Sequence, residues 1–498
     1  MPKTRALPVL LSLFVASPAL AESLADTLAD TYTGNAAIQA QRYDLRGTDE
    51  RLPEAESGWR PSVTLNGSIT RGPQEFVFVP VHDQWLTARN VTLQILEPLY
   101  RGGGTVAGIA QAKAEIGAGQ AELSDVEQQR LYAGASAYLD VYRDQSLVEL
   151  SRNLVDVLDV NEKNVRSTFR AGAATETDTS QAAARLEGAV ASRFAAEGEI
   201  ATSRANFKAI VGRDPGALGV PTLLGQLPAN EADAQAVAAI QHPALLAARQ
   251  RIEAATQKVD VVRAQLLPKV DAVGLLTHED DAFTRGDRMN SATVGVQASI
   301  PLYEAGSAYA EIRAAREAVA EQQKIELQAR RDVARQVTAA WNRLATARAQ
   351  QDQFKAQIEA NQVALRTTRD QVSAGTRTRL DLLNAEQELF SSRVNLVAAQ
   401  HDTYEASFAL ELAAGLFTPQ ALGLTVETYD PTRHLDQVKD KWIGTMPPVC
   451  TKAGNSIFAS WAGLGHSVTC LPSCHCSVTP VTNSGPYFIA WVNSLSLP

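Results

Sequence analysis

Apolar and polar side chains alternate strictly in two pairs of short segments. In the first pair the alternating apolar positions are Val63, Leu65, Ile69, Val91, Leu93 and Ile95, separated mainly by Thr, Asn, Ser and Gln. The second pair shows the same pattern most clearly at Val294, Val296, Ala298 and Ile300. A period of two gives a strand one apolar and one polar face. We therefore predict two β-hairpins, each with one apolar face.

A second period, of 3.5 residues, runs through a long proline-free stretch after each hairpin. In the second stretch it comprises Ala340, Leu344, Ala347, Gln351, Phe354, Ile358, Asn361, Leu365, Thr368 and Val372. In the first stretch it comprises Ala137, Val141, Asp144, Val148, Ser151, Val155, Leu158, Glu162, Val165 and Phe169. This spacing is typical of coiled-coil packing. We predict one helix of about 95 Å in each stretch, followed by a short break and another long helix.

The two halves of the chain repeat one another. Pro98-Leu99-Tyr100 returns as Pro301-Leu302-Tyr303, and the same offset relates Gly172 to Gly375 and Asp178 to Asp381. Agreement at one offset across so many positions indicates a duplication. We predict a first structural repeat over residues 22–230 and a second over residues 231–447. Pro98, Tyr100, Pro301 and Tyr303 are expected at the strand-to-helix corners, and Gly172 and Gly375 at breaks between long helices.

The first 21 residues have the features of a secretory signal peptide. Lys3 and Arg5 precede a short apolar run, and Ala19-Leu20-Ala21 provides small residues for cleavage. In the whole chain, 20% of residues are charged and only 6% are aromatic, which suits long helices packed through small side chains. The net charge of −9, without a basic cluster, argues against nucleic-acid binding.

Catalytic and cofactor motifs are poorly supported. The seven histidines are scattered, and neither an HExxH pair nor a GxSxG elbow occurs. Gly102-Gly103-Gly104 approximates a dinucleotide-binding turn, but the equivalent corner in the second half, Ala305-Gly306-Ser307, lacks the pattern. We therefore predict a tight turn there, a protein that is not an enzyme, and no cofactor or metal.

Several of these segments resemble the TolC family of outer-membrane efflux proteins. The resemblance rests on Asn35-Ala36-Ala37-Ile38-Gln39-Ala40 and its counterpart His242-Pro243-Ala244-Leu245-Leu246-Ala247, on Gly58-Trp59-Arg60-Pro61, on both Pro-Leu-Tyr corners, and on Ala374-Gly375-Thr376-Arg377-Thr378 with Asp381-Leu382-Leu383. It covers roughly residues 22 to 445.

The resemblance implies an α+β membrane protein that works as a homotrimer. Each subunit would give four strands to one twelve-stranded transmembrane β-barrel in the outer membrane, in contact with its lipid, continuous with a long periplasmic α-helical barrel. The implied function is the exit duct of a tripartite efflux pump or a type I protein secretion system in a Gram-negative bacterium. The implied partners are a periplasmic adaptor protein and an inner-membrane pump of the ABC or resistance-nodulation-division type.

The resemblance also implies a gate at the periplasmic tips of the helices. Arg377 would pair with Thr177 and Asp178, and Asp381 would add one carboxylate per subunit to a cation-attracting ring. Asn384 replaces a second acid, and Val372 a tyrosine, that family members often have. From the residues alone, Asp178 and Asp381 could instead cap the helices that follow the glycine breaks. We expect both roles together.

Two alternatives remain at this point. An exported periplasmic coiled-coil scaffold or adaptor would explain the long helices equally well, but not the paired hairpins. The segment 448–498 differs from the rest because it holds all four cysteines and one charged residue, Lys452. We predict an atypical disordered tail. Metal binding by Cys470, Cys474, Cys476, His466 and His475 fits no standard zinc spacing, whereas disulfide pairing stays possible.

Overall fold

The computed structural model describes residues 22–74 and 84–445, together with the backbone of 466–470 and 476–480. The predicted signal peptide lies outside these residues. The chain divides into two units, Met1–Lys439 and Asp440–Pro498. In the second unit two short antiparallel strands are described, β5 (His466–Cys470) and β6 (Cys476–Pro480). The predicted metal or disulfide residues Cys450, Cys474 and His475 lie outside the described residues.

The first unit contains a similar succession of elements twice: short helices, a β-hairpin and two long helices. The first half comprises α1 (Leu24–Gly34), α2 (Ala36–Asp49), α3 (Arg51–Glu56), β1 (Ser62–Gln74), β2 (Gln84–Arg101), α4 (Gly104–Arg170) and α5 (Glu176–Val211). The second comprises α6 (Glu231–Gln241), α7 (Pro243–Arg263), β3 (Lys269–Asp280), β4 (Arg288–Ser299), α8 (Ser307–Ser373) and α9 (Arg379–Ala413), followed by α10 (Thr432–Val438). The predicted duplication is therefore confirmed. No helix among the described residues combines the length and apolar character needed to span a membrane.

The four strands of the first unit form one antiparallel sheet in the order β1-β2-β3-β4. The register sets Leu65 opposite Leu93, Leu93 opposite Leu276, and Val294 opposite Gly274. Residues directly opposite each other share a face, so the alternating apolar positions combine into one continuous apolar face. The β2–β3 pairing joins the two repeats within one chain.

The strand-to-helix corners differ slightly between the two halves. Pro98 and Tyr100 belong to the end of β2, where the register shifts, and the chain turns at Gly102 and Gly103. A Cβ on Gly102 would lie 2.7 Å from the Leu267 Cβ, and the residue has a φ of +62°. Glycine is therefore required at this corner by both backbone and packing. In the second half Pro301 and Tyr303 lie between β4 and α8.

The long helices α4 and α8 contain 67 residues each, or about 100 Å at 1.5 Å per residue. Most of the predicted stripe on α4 is buried, and on α8 the stripe is buried or half-buried. Phe169 departs from the pattern with 44% of its surface exposed, because it lies in the last turn of α4. The 3.5-residue period thus identified the packed line of both helices.

Polar residues within these stripes are buried or half-buried and have polar partners. Asp144 accepts hydrogen bonds from the Ser203 hydroxyl of α5 and, at 2.7 Å, from Arg143. Asn361 of α8 donates to the Ser392 hydroxyl of α9 at 2.7 Å. A buried polar group destabilises the folded state when it has no hydrogen-bond partner. These pairs therefore fix which faces of the two helices pack together within each hairpin.

The largest apolar cluster surrounds Tyr138 of α4 and includes Leu28, Phe207, Phe408 and Phe417. It joins α1 and the ends of α5 and α9 to α4. The Tyr138 hydroxyl lies 2.9 Å from the Glu22 carbonyl oxygen and 2.8 Å from that of Gly219. This cluster fixes the C-terminal ends of α5 and α9. The candidate site lies at the opposite ends of these helices, at the tips of the helical hairpins.

Candidate functional site

Each helical hairpin ends in a tight turn closed by a glycine. Gly172 follows the end of α4 with a φ of +76°, and Gly375 follows the end of α8 with a φ of +75°. The Gly172 amide donates to the Phe169 carbonyl at 2.9 Å, and the Gly375 amide donates to the Val372 carbonyl at 3.1 Å. These turns satisfy the last carbonyls of the long helices, so both predicted glycines lie at the hairpin tips.

A capping box begins each returning helix. The Thr175 hydroxyl accepts from the Asp178 amide at 3.2 Å, while the Asp178 carboxylate accepts from the Thr175 amide at 2.8 Å. Thr378 and Asp381 form the same reciprocal pair at 3.2 and 3.0 Å. Such boxes satisfy otherwise unpaired amides at the helix start. Both acids thus have the capping role that their position after the glycine suggested.

The caps also keep both carboxylates charged. Hydrogen bonds from the Thr175 backbone and hydroxyl hold the pKa of Asp178 below its usual range, and the charge of Arg379 acts in the same direction. For Asp381, hydrogen bonds from the Thr378 hydroxyl and backbone lower the pKa, with a smaller effect of Arg377. At neutral pH Asp178 and Asp381 are therefore both ionised.

Two arginines connect the tips of the first and second hairpins. Arg379 of α9 donates to the Thr168 hydroxyl of α4 at 3.3 Å. Arg185 of α5 donates to the Asn384 side-chain oxygen of α9 at 3.1 Å. Asn384, which replaces the second acid of the resembling family, is therefore a hydrogen-bond acceptor across the hairpins. Sequence reasoning missed Arg185 and Arg379, because only the fold brings them to their partners.

The predicted pairing of Arg377 with Thr177 and Asp178 is not present within one chain. Among the hydrogen bonds and ion pairs of the described residues, none joins Arg377 to either residue. Arg377 and Thr177 are both exposed, and Val372 is half-buried. The exposed guanidinium of Arg377 is available for a contact outside the single chain.

A small apolar cluster supports the tips. Leu154 and Leu158 of α4, Ala189 of α5 and Leu383 of α9 are buried together. Leu383 lies one residue before Asn384, so this packing positions α9 for the contact with Arg185. The tip therefore combines apolar support, two ionised acids and exposed arginines on both hairpins.

Comparison with known proteins relates this architecture to a family. The sequence pattern of the family described as outer membrane efflux protein matches residues 28–213 and 236–416. The chain belongs to the outer membrane efflux protein family. Its two matched segments fall in the two halves of the internal duplication.

Two bacterial proteins are also similar in sequence to this chain. It is 33% identical over 432 residues to the outer membrane efflux protein BepC of Brucella suis. The matched region covers 86% of this chain and 93% of BepC. It is also 26% identical over 342 residues to the alkaline protease secretion protein AprF of Pseudomonas aeruginosa. This matched region covers 64% of this chain and 70% of AprF.

The fold is similar to the crystal structure of the outer membrane protein VceC from Vibrio cholerae. The TM-score is 0.68 at 20% identity, over 79% of this chain and 96% of VceC. The predicted fold class is thus confirmed, and membership of the outer membrane efflux protein family confirms the predicted outer-membrane location. The protein is an outer-membrane channel subunit of an efflux or secretion system that extends into the periplasm, and the scaffold alternative is not supported.

Proposed function

We propose that three copies of the chain close into one tunnel, a passive conduit gated at its periplasmic tips. The two repeats, taken as residues 22–230 and 231–447, meet within the chain through the β2–β3 pair and the packing of α4 against α7. In the second repeat the equivalent elements are β4, which is exposed along its whole length, and α8, which is largely exposed. Head-to-tail repetition of one interface generates a ring when the rotation between copies closes, and the family resemblance gives the number three.

The difference in burial between the repeats supports this proposal. α4 has 22 buried positions, whereas its counterpart α8 has only 8, so α8 offers more surface to another copy. Leu302 is 94% exposed, compared with 50% for its counterpart Leu99. The edge strands β1 and β4 would then pair between copies. The mass of the detergent-purified particle tests this assembly: three chains are expected, and a monomeric particle would contradict it.

The gate would depend on charges at the two tips. Asp178 is ionised and capped, and Arg377 is exposed. In the closed tunnel the guanidinium of one copy would pair with the carboxylate of the next. Arg185 and Arg379 would hold the two hairpins of each copy together. Exposed pairs of this kind contribute about 0–1 kcal/mol each. Threefold repetition biases a closed state that a partner complex can still open.

We propose a periplasmic adaptor and an inner-membrane pump as partners, the pump being the source of energy. The conduit itself would carry out no catalysis. The similarity to both an efflux protein and a protease secretion protein supports the general duct function, with cargo chosen by the pump. Deleting the gene and measuring drug susceptibility together with the secreted proteome tests which cargo depends on the channel.

Leakage through the tip tests the gate. Arg377→Ala and Asp178→Asn should each increase the susceptibility of cells to a large antibiotic that an intact outer membrane excludes. Asn keeps a capping oxygen at position 178, so this variant mainly removes charge. Thr175→Ala is the matched control, because it removes the cap, at a cost of about 1 kcal/mol, and keeps the Asp178 carboxylate. Wild-type susceptibility in both charge variants, with normal amounts of trimer, would reject the gate.

A further inference from the structure

A buried histidine joins the two helical hairpins far from their tips. His401 of α9 has only 8% of its side chain exposed. Its Nε2 lies 3.1 Å from Asp140 Oδ1 on α4, and its Nδ1 lies 3.1 Å from Asp402 Oδ1 on α9. Ionised carboxylates only accept hydrogen bonds, and a neutral imidazole donates through one nitrogen. Both contacts can be hydrogen bonds at once only when His401 is protonated.

Other charged groups surround this bridge. On α4, Arg143 contacts Asp140 at 3.0 Å and Asp144 at 2.7 Å. Toward α8, Glu405 of α9 accepts from Arg343 at 2.7 Å. The acids Asp140, Asp144, Asp402 and Glu405 thus outnumber the arginines Arg143 and Arg343, which favours a positive charge on His401.

A cavity of about 140 Å³ adjoins the bridge. Its lining includes the apolar side chains of Val220 and Pro221 and the polar side chains of Tyr142, Arg143, Tyr404 and His401. Burial alone would disfavour protonation, but the hydrogen bonds to Asp140 and Asp402 outweigh it, and the pKa of His401 is raised. Because the side chain of His401 is largely removed from water, the ionic bridge is stronger than an exposed one while the histidine is charged.

A metal site is the main alternative use of these side chains. His401, Asp402 and Glu405 have potential ligand atoms within 4.8 Å of one another. However, Glu405 already binds Arg343 and lies 3.2 Å from the Tyr132 hydroxyl, and both nitrogens of His401 face carboxylates. The polar atoms are therefore engaged with each other, which favours an ionic bridge over a metal.

We propose that His401 is a proton-operated latch that holds α9 of the second hairpin against α4 of the first. The latch is fully closed below the ordinary histidine pKa of about 6.5 and weakens as pH rises through the higher value in the folded protein. The periplasm exchanges small ions with the medium through outer-membrane pores, so the latch would respond to external acidity. This proposal concerns the seam between α4 and α9 and does not depend on the gate.

Hydrogen exchange of the full-length protein in detergent tests the latch. Peptides covering residues 136–147 and 396–407 are compared at pH 5.5 and 8.5 after correction for intrinsic exchange rates. Protection should fall at pH 8.5, by about tenfold in the local opening equilibrium for each unit by which the pKa is raised. His401→Gln keeps a polar side chain without the charge and should lose the part of this pH dependence that His401 causes.

His434→Gln is the matched control, because His434 is also buried and lies 3.0 Å from an acid, Asp49, but outside the seam. It should retain the pH dependence of the wild type at the α4–α9 seam. Equal corrected protection at both pH values in the wild type would overturn the latch, as would unchanged pH dependence in a folded His401→Gln variant. Protection restored by Zn²⁺ at pH 8.5 would instead favour the metal site.

Discussion

The buried carboxyl of Glu411 leads to a quantitative prediction about stability. Glu411 lies near the end of α9, is 2% exposed, and has no hydrogen-bond partner for either carboxylate oxygen among the described residues. The loop at Gly225 covers it so closely that a Cβ there would lie 3.2 Å from Glu411 Oε1. Burial raises the pKa of Glu411 from 4.5 to about 8.

A carboxyl with a raised pKa favours the folded state only in its neutral form. The free energy of unfolding therefore falls as pH rises above 4.5, and the loss is complete above about pH 8. At 1.36 kcal/mol per pKa unit, the loss is about 3 kcal/mol at pH 7 and about 5 kcal/mol at pH 8.5. Glu411→Gln, which cannot ionise, should recover these amounts and should leave stability nearly unchanged at pH 4.

Denaturant unfolding followed by helical circular dichroism at pH 4, 7 and 8.5 measures this difference. Comparison with the wild type at each pH cancels the contribution of His401, which both proteins share. Glu405→Gln is the matched control on the same helix, because Glu405 is ion-paired with Arg343. This control should destabilise the protein at neutral pH. A stabilisation by Glu411→Gln that does not depend on pH would refute the reasoning.

Two further predictions concern the corner and the tip. Gly102→Ala should lower the free energy of unfolding by roughly 2–5 kcal/mol through backbone strain and overpacking. Gly103→Ala, whose Cβ would meet no atom within 4 Å, should cost only about 1–2 kcal/mol of strain. Denaturant unfolding compares the two variants, and equal losses of stability would contradict the packing argument. Asp381→Asn should reduce cation selectivity, because it removes one carboxylate per subunit. The reversal potential in a salt gradient measures this selectivity, and an unchanged potential would exclude Asp381 from the conduction path.

Local patterns in the sequence were sufficient to predict the main strands and long helices of this fold. Alternation from Val63 to Ile69 predicted the strands, and the stripe from Ala137 to Val165 predicted the packed line of α4. Both signals are local, since a strand or helix must bury one face whatever its partner. The pairing of β2 with β3 was not predictable in this way, because periodicity defines a face and not the neighbour.

The candidate site was predictable only where its chemistry is local. Asp178 and Asp381 cap helices three residues after threonines, a spacing visible in the sequence. The bonds of Arg185 to Asn384 and of His401 to Asp140 join residues 199 and 261 positions apart. Nothing in their immediate sequence identifies these partners, so only the packing of the second hairpin against the first reveals them.

Ion conductance of the purified trimer in a planar lipid bilayer tests the central claim most directly. A tunnel closed at its tips should give small, uniform, cation-selective steps in the wild type. Arg377→Ala should increase the size of these steps or the time spent open, because one contact per copy is lost. An intact trimer that conducts no ions in either form, or conducts equally in both, would contradict a gated conduit.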